Sequence, residues 1–211
     1  MAAGRPRSFD ADKAIDIAMN VFWRKGYTGT SMADLTDAMG INAPSLYAAF
    51  GNKESLFRRA MQRYAEGPAG FMVVSMAQPT ALGVVTHMLR AAAASHTDPR
   101  YPAGCFMVQS ESTCGDSVPL RREIIRQRNG GEALLHKRLK RAQADGDLSA
   151  DTDVRALARY FVTVMYGMAV QAANGAGRKD LDEVVSFALS QWPGLTSASK
   201  SPAASKSKAR G

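Results

Sequence analysis

The sequence predicts an all-α chain, and three observations carry that prediction. Apolar residues recur at intervals of three and four through most of its length. No stretch alternates apolar with polar residues as a half-buried strand does, and no hairpin dipeptide joins two such runs. The periodic stretches are separated by glycine, proline and capping side chains, as at Gly26, at Gly40–Asn42 and at Gly67–Pro68. With 211 residues, 45% hydrophobic and 22% charged, the chain can bury a full core and has the balance of an ordinary globular protein. No apolar run approaches a membrane span, and the segment MAAGRPRS has no apolar centre to act as a signal peptide, so a cytoplasmic location is expected.

Arg5 and Arg7 come first, in a segment that Pro6 holds extended. Arginines on such an arm can reach the minor groove of a duplex or its phosphates. From about Asp10 to Lys25, the set Ile15, Ala18, Met19, Phe22 and Trp23 is amphipathic at helical period, and Gly26 ends it. Thr30 is then the expected N-cap of a short helix whose inward set is Met32, Leu35, Thr36 and Met39. Gly40 allows a left-handed exit, and Asn42 caps a second short helix with Pro44 in its first turn. Leu46, Ala49 and Phe50 share one face of this second helix, leaving Pro44, Ser45, Tyr47 and Ala48 on the other. The pair reads as a helix-turn-helix with its recognition helix at Pro44 to Phe50.

The run Thr30, Ser31, Met32, Leu35, Gly40, Ile41, Ser45, Leu46, Tyr47, Phe50, Lys53, Glu54, Leu56, Phe57 closely resembles the N-terminal DNA-binding domain of the TetR family of bacterial transcriptional regulators. The resemblance implies a three-helix DNA-binding domain over residues 1–52, a larger helical ligand-binding and dimerisation domain over 53–195, and a basic tail over 196–211. It also implies a homodimer on a double-stranded, near-palindromic operator, released by a small-molecule effector. Arg5, Arg7, Thr30, Ser31, Asn42, Ala43, Pro44, Ser45, Tyr47, Ala48 and Lys53 are the expected DNA contacts. No Arg, Lys or Gln occurs between Asn42 and Asn52, so this helix lacks the bidentate reading of guanine by arginine. Ala43, Pro44 and Ala48 can touch thymine methyl groups, while Tyr47, Lys53 and Thr30 suit phosphates.

Asn52 is placed to cap a helix from Lys53 to about Glu66 with Leu56, Phe57, Ala60, Met61 and Tyr64 inward. Further helices are expected over Thr80–Ser95, Cys105–Ser112, Pro119–Ala144, Val154–Ala173 and Leu181–Trp192, with Gly130–Gly131 a weak point or kink in the third of these. Phe71, Met88, Cys105, Phe106, Met107, Met165 and Tyr166 are the candidate lining of an apolar effector pocket. In the last two helices, the resemblance assigns Phe161, Met168, Leu181, Val185, Leu189 and Trp192 to a four-helix dimer interface.

The net charge is +8, and the tail after Leu195 carries Lys200, Lys206, Lys208 and Arg210 with no acid, in a composition too polar to fold. Cys105 and Cys114, placed on one continuous helix, would face opposite sides roughly 13 Å apart along its axis. Structural thiols or a redox sensor are the two readings. His87, His96 and His136 have no ligand spacing to one another, so no metal site and no cofactor is expected. Neither a phosphate loop nor a nucleophile elbow is present to suggest an enzyme.

Overall fold

The computed structural model of the chain describes residues 9–111, 113–115 and 117–196. The arm with Arg5 and Arg7 and the lysine-rich tail lie outside the described residues. Eleven helices and no strand occur among the described residues. None of the helices is long and apolar enough to cross a membrane.

α1 (Ala11–Lys25) is capped by Asp10, whose carboxylate accepts from the amides of Asp12 and Lys13. It packs on α4 (Lys53–Glu66), which Asn52 caps as expected. Between them sit α2 (Met32–Met39) and α3 (Ala43–Phe50). α3 has only eight residues, too few to hold helical form in water alone. Its stability comes from burying Leu46 and Phe50, each worth about 1.5–3 kcal/mol. Leu35, Phe22, Phe57 and Trp23 complete this first cluster, in which Phe22 meets Phe57 edge-on at 5.0 Å.

The first cluster does not stop at α4. It takes in Cys105, Phe106 and Met107 around the start of α7 (Phe106–Glu111), Leu120 and Ile124 of α8 (Val118–Ala144), and Ala169 of α9 (Val154–Ala173). A second cluster joins α6 (Ala81–His96) to α9 and α10 (Arg178–Ser190), with Leu135 and Leu139 from the far half of α8. α8 therefore contributes to both clusters. It runs through Gly130–Gly131 as one helix rather than breaking there.

Other expected boundaries shift. A short helix, α5 (Phe71–Met76), follows Gly70 where only a connection was expected. α10 begins three residues earlier than its apolar stripe, at Arg178, and Trp192 opens a separate last turn, α11 (Trp192–Thr196). The helix expected over Cys105–Ser112 spans Phe106–Glu111. Cys105 precedes it, Cys114 follows it, and both are buried free thiols.

Candidate nucleic-acid interface and effector cavity

The N-cap of α2 is Ser31, not Thr30. Ser31 Oγ accepts from the amide of Asp34, whose carboxylate in turn accepts from the Ser31 amide, closing a capping box. Asp34 also receives Lys25 Nζ at 2.5 Å, and that hydrogen bond, together with those from Ser31, holds its carboxyl well below the usual carboxylate range. Thr30 is 1% exposed and donates its hydroxyl to the Gly26 carbonyl at 2.7 Å. A side chain buried in this way cannot meet a phosphate, which removes Thr30 from the expected DNA contacts.

The remaining described contacts share one surface. Asn42, Ala43, Pro44, Tyr47 and Ala48 are exposed on the outer side of α3, and Ser45 is half-buried beside them. The Asn42 carbonyl oxygen is committed to the Ser45 amide at 2.8 Å, so only its NH₂ group remains to meet a base or phosphate. Lys53 lies with its ammonium 4.5 Å from the centre of the Tyr27 ring. Its pKa is lowered, mainly by partial burial. Ser31 is exposed at the start of α2. The surface is thus a largely apolar helix edge flanked by the Lys53 ammonium group and by the capped N-termini of α2 and α3.

A cavity of about 210 Å³ lies where α4, α5, α6, α7, α8 and α9 converge. Five of the seven residues expected to line it do so: Phe71, Cys105, Met107, Met165 and Tyr166. Met88 and Phe106 do not, because each is packed fully into one of the two buried clusters. Sequence reasoning missed Tyr64, His96, Arg128 and Gly131. For His96 a signal existed: Met88, Ala92 and His96 recur at intervals of four, which puts the histidine on the buried face of α6.

Tyr64 donates its hydroxyl to Cys105 Sγ at 3.1 Å, and burial pushes both the phenol and the thiol up in pKa. Cys114 Sγ donates to the Ser110 carbonyl at 2.9 Å, and burial raises its pKa as well. Neither sulfur is held as a thiolate. Among the described residues no group of three or more His, Cys, Asp or Glu side chains could hold a metal ion.

α7 connects the cavity to the DNA-facing half. Its first turn carries Met107, just after Cys105, and both line the cavity. Beyond its last turn, the Thr113 carbonyl accepts from both the amide (3.0 Å) and the hydroxyl (2.9 Å) of Thr28, in the turn between α1 and α2. Midway, Gln109 Oε1 accepts from Trp23 Nε1 at 2.5 Å. Gly26, with φ of 71°, presses on Thr113: a Cβ there would fall 2.5 Å from the Thr113 Cβ.

The residues expected at a dimer interface are mostly turned inward. Phe161, Met168, Leu181 and Val185 are buried in their own protomer between α6, α9 and α10, and Leu189 and Trp192 are half-buried against them. Side chains already covered within one chain cannot form a contact surface with another. The same two helices instead expose Val170, Val184 and Phe187, the last 70% accessible.

A short helix-turn-helix carried on a larger helical body is the architecture of a DNA-binding regulator. The profile described as "Bacterial regulatory proteins, tetR family" matches residues 14–60, and that of "Tetracyclin repressor-like, C-terminal domain" matches residues 81–188. The chain is 35% identical to the HTH-type transcriptional repressor ComR of Escherichia coli (strain K12), over 91% of this chain and 93% of that one. The repressor BdcR of the same organism is 29% identical over 82% of this chain and 83% of its own. Among solved structures, a cysteine mutant of the TetR family transcriptional regulator CifR, complexed with 26 bp double-strand operator DNA, is 42% identical. That match has a TM-score of 0.85 and covers 90% of this chain and all of that one. The chain belongs to the TetR family, and it is a transcriptional regulator rather than an enzyme.

Proposed function

We propose that this protein is a repressor that binds a near-palindromic operator as a homodimer and is released when a small, largely apolar effector fills the cavity. Two α3 helices would enter successive major grooves on one face of the duplex, about 34–36 Å apart. The outer edge of α3 offers methyl and ring contacts more than hydrogen bonds, so selectivity would lean on thymine methyls and duplex shape. Ser31, Tyr47 and Lys53 would hold the phosphates. The dimer would form on the exposed side of α9 and α10, through Val170, Val184 and Phe187.

The observation that carries the effector reading is the continuity of α7. A ligand that displaces Cys105 or Met107 shifts the segment whose far end is bonded to Thr28, in the turn before α2. Such a ligand favours dimers whose recognition helices are wrongly spaced, and its grip on that state must exceed its grip on the DNA-bound state for release to follow. Footprinting on the DNA upstream of the protein's own coding region, with and without candidate ligands, tests this. Protection that vanishes with an effector supports it; the absence of any protected palindrome contradicts it.

A second reading, control through the Cys105 or Cys114 thiols, is favoured by one observation: Cys105 lies in the cavity wall itself. Loss of operator binding on mild oxidation, abolished by Cys105→Ser, would establish it, and indifference to oxidant would end it. For a metal-responsive version, no metal-holding cluster occurs among the described residues.

A further inference from the structure

We propose that the cavity takes a compact oxygen acid, a phenol or a monocarboxylic acid on a single-ring body, whose oxygen group is hydrogen-bonded to His96. The inference rests on the effector reading above and narrows its chemistry. His96 is the last residue of α6, is 2% exposed and lines the cavity. Neither Nδ1 nor Nε2 has a hydrogen-bond partner. The backbone at Gly104 and Met165 lies toward the ring and favours its charged form, but completes no hydrogen bond of normal geometry. A neutral imidazole so placed offers one N–H donor and one bare nitrogen, and leaving both unpaired at a buried position is unfavourable. A leucine or phenylalanine there would carry no such cost, so the ring is suited to a polar visitor. A hydroxyl supplies a donor and an acceptor together, and a carboxylate an acceptor for the imidazole N–H.

The other polar groups of the wall agree. Tyr64 donates to Cys105 and Tyr166 to the Arg128 carbonyl, so neither hydroxyl calls for a ligand. Arg128 lies in the cavity wall with its guanidinium 4.8 Å from the Tyr166 ring centre. A cationic ligand would meet the like charge of the Arg128 guanidinium, whereas an oxygen acid would not. Phe71, Met72, Met107 and Met165 supply an apolar berth for the rest of the molecule. An apolar cavity of about 150 Å³ admits benzene. The 210 Å³ here leaves room for one ring and a short substituent.

The test titrates the full-length protein with 4-methylphenol, benzoate, toluene and benzylamine by calorimetry, and repeats the series on His96→Phe, which keeps a ring but removes both nitrogens. His96→Leu gives the same comparison should the phenylalanine variant not fold. In the wild type, 4-methylphenol or benzoate should bind at least about tenfold more tightly than toluene, and benzylamine least of all. In the variant, that preference should collapse while toluene binds as well or better. Toluene matching the oxygen acids in the wild type, or a preference that survives removal of His96, overturns the role of His96 and leaves the effector cavity standing, since binding still occurs. Benzylamine binding more tightly than benzoate overturns the charge argument. Should none of the four bind up to its solubility limit, this inference falls, whereas the effector reading falls only if footprinting finds no protected palindrome.

Discussion

Replacing Gly26 by alanine tests whether α7 bears on the DNA-reading half as described. Gly26 has φ 71° and ψ 173°, a region that side chains of ordinary handedness scarcely enter, at a cost of about 1–3 kcal/mol. Its new Cβ would also fall 2.5 Å from Thr113 Cβ and 2.7 Å from both Thr113 Cγ2 and Oγ1. Overpacking of this kind costs about 1–3 kcal/mol more. The two together predict a loss of about 2–6 kcal/mol, and at about 2–4 °C per kcal/mol for a chain this long, the midpoint should fall by at least about 4 °C. Thermal unfolding followed by circular dichroism measures it. Thr113→Gly in the Gly26→Ala background removes all three crowded atoms and should recover the steric share but not the conformational one, a coupling that a double-mutant cycle isolates. A midpoint within about a degree of wild type, or no recovery in the double variant, would refute the close packing of Thr113 on Gly26.

Three further outcomes are expected. Lys53→Ala should weaken binding to operator and to random duplex alike and flatten the salt slope by about one per protomer, and an operator-specific loss with an unchanged slope would remove Lys53 from the phosphate contacts. Phe187→Glu, at a site 70% exposed in the single chain, should leave monomer stability within about 0.5 kcal/mol yet yield monomers in light scattering and abolish cooperative operator binding. Burial pushes the His96 imidazole down to about 4 from 6.5, so between those pH values the unfolded chain takes up a proton that the folded chain refuses. Stability should therefore fall as pH drops from about 6.5 to 4 and be unaffected by His96 above that window, by up to about 3 kcal/mol at 1.36 kcal/mol per unit. His96→Gln should lose that part of the slope in denaturant titrations.

Where the sequence was legible, capping chemistry and apolar period agreed. Asn42 and Asn52 cap α3 and α4 as read, and α9 has its expected ends. The α2 cap went to the wrong hydroxyl because Thr30 and Ser31 are adjacent. The deciding signal was Asp34, three residues after Ser31 and able to return the hydrogen bond. The glycine pair in α8 suggested a break, yet the helix continues; Gly131 stands opposite Met72 and Tyr166 at the cavity, where the missing side chain leaves space. The apolar stripes of α9 and α10 are covered apart from the exposed Val184, but periodicity cannot say whether the covering surface is α6 of the same chain or a second copy. α6 takes most of them. The cavity was half legible: its Met and aromatic walls follow helical spacing, whereas Arg128 and His96 belong to it only because α6 and α8 meet there.

The sharing of one buried cluster between the DNA-reading helices and α7 bears on how this protein can be re-engineered. Trp23, Phe57 and Tyr64 all rest against Phe106, with ring centres 5.4–5.9 Å from it. A chimera that joins the first four helices to a different sensor would strip that cover and leave a wet aromatic patch on the inner side of the reader. The transplantable unit is discontinuous: the first four helices together with residues 105–124, or a recipient whose own α7 presents an aromatic ring at the position of Phe106.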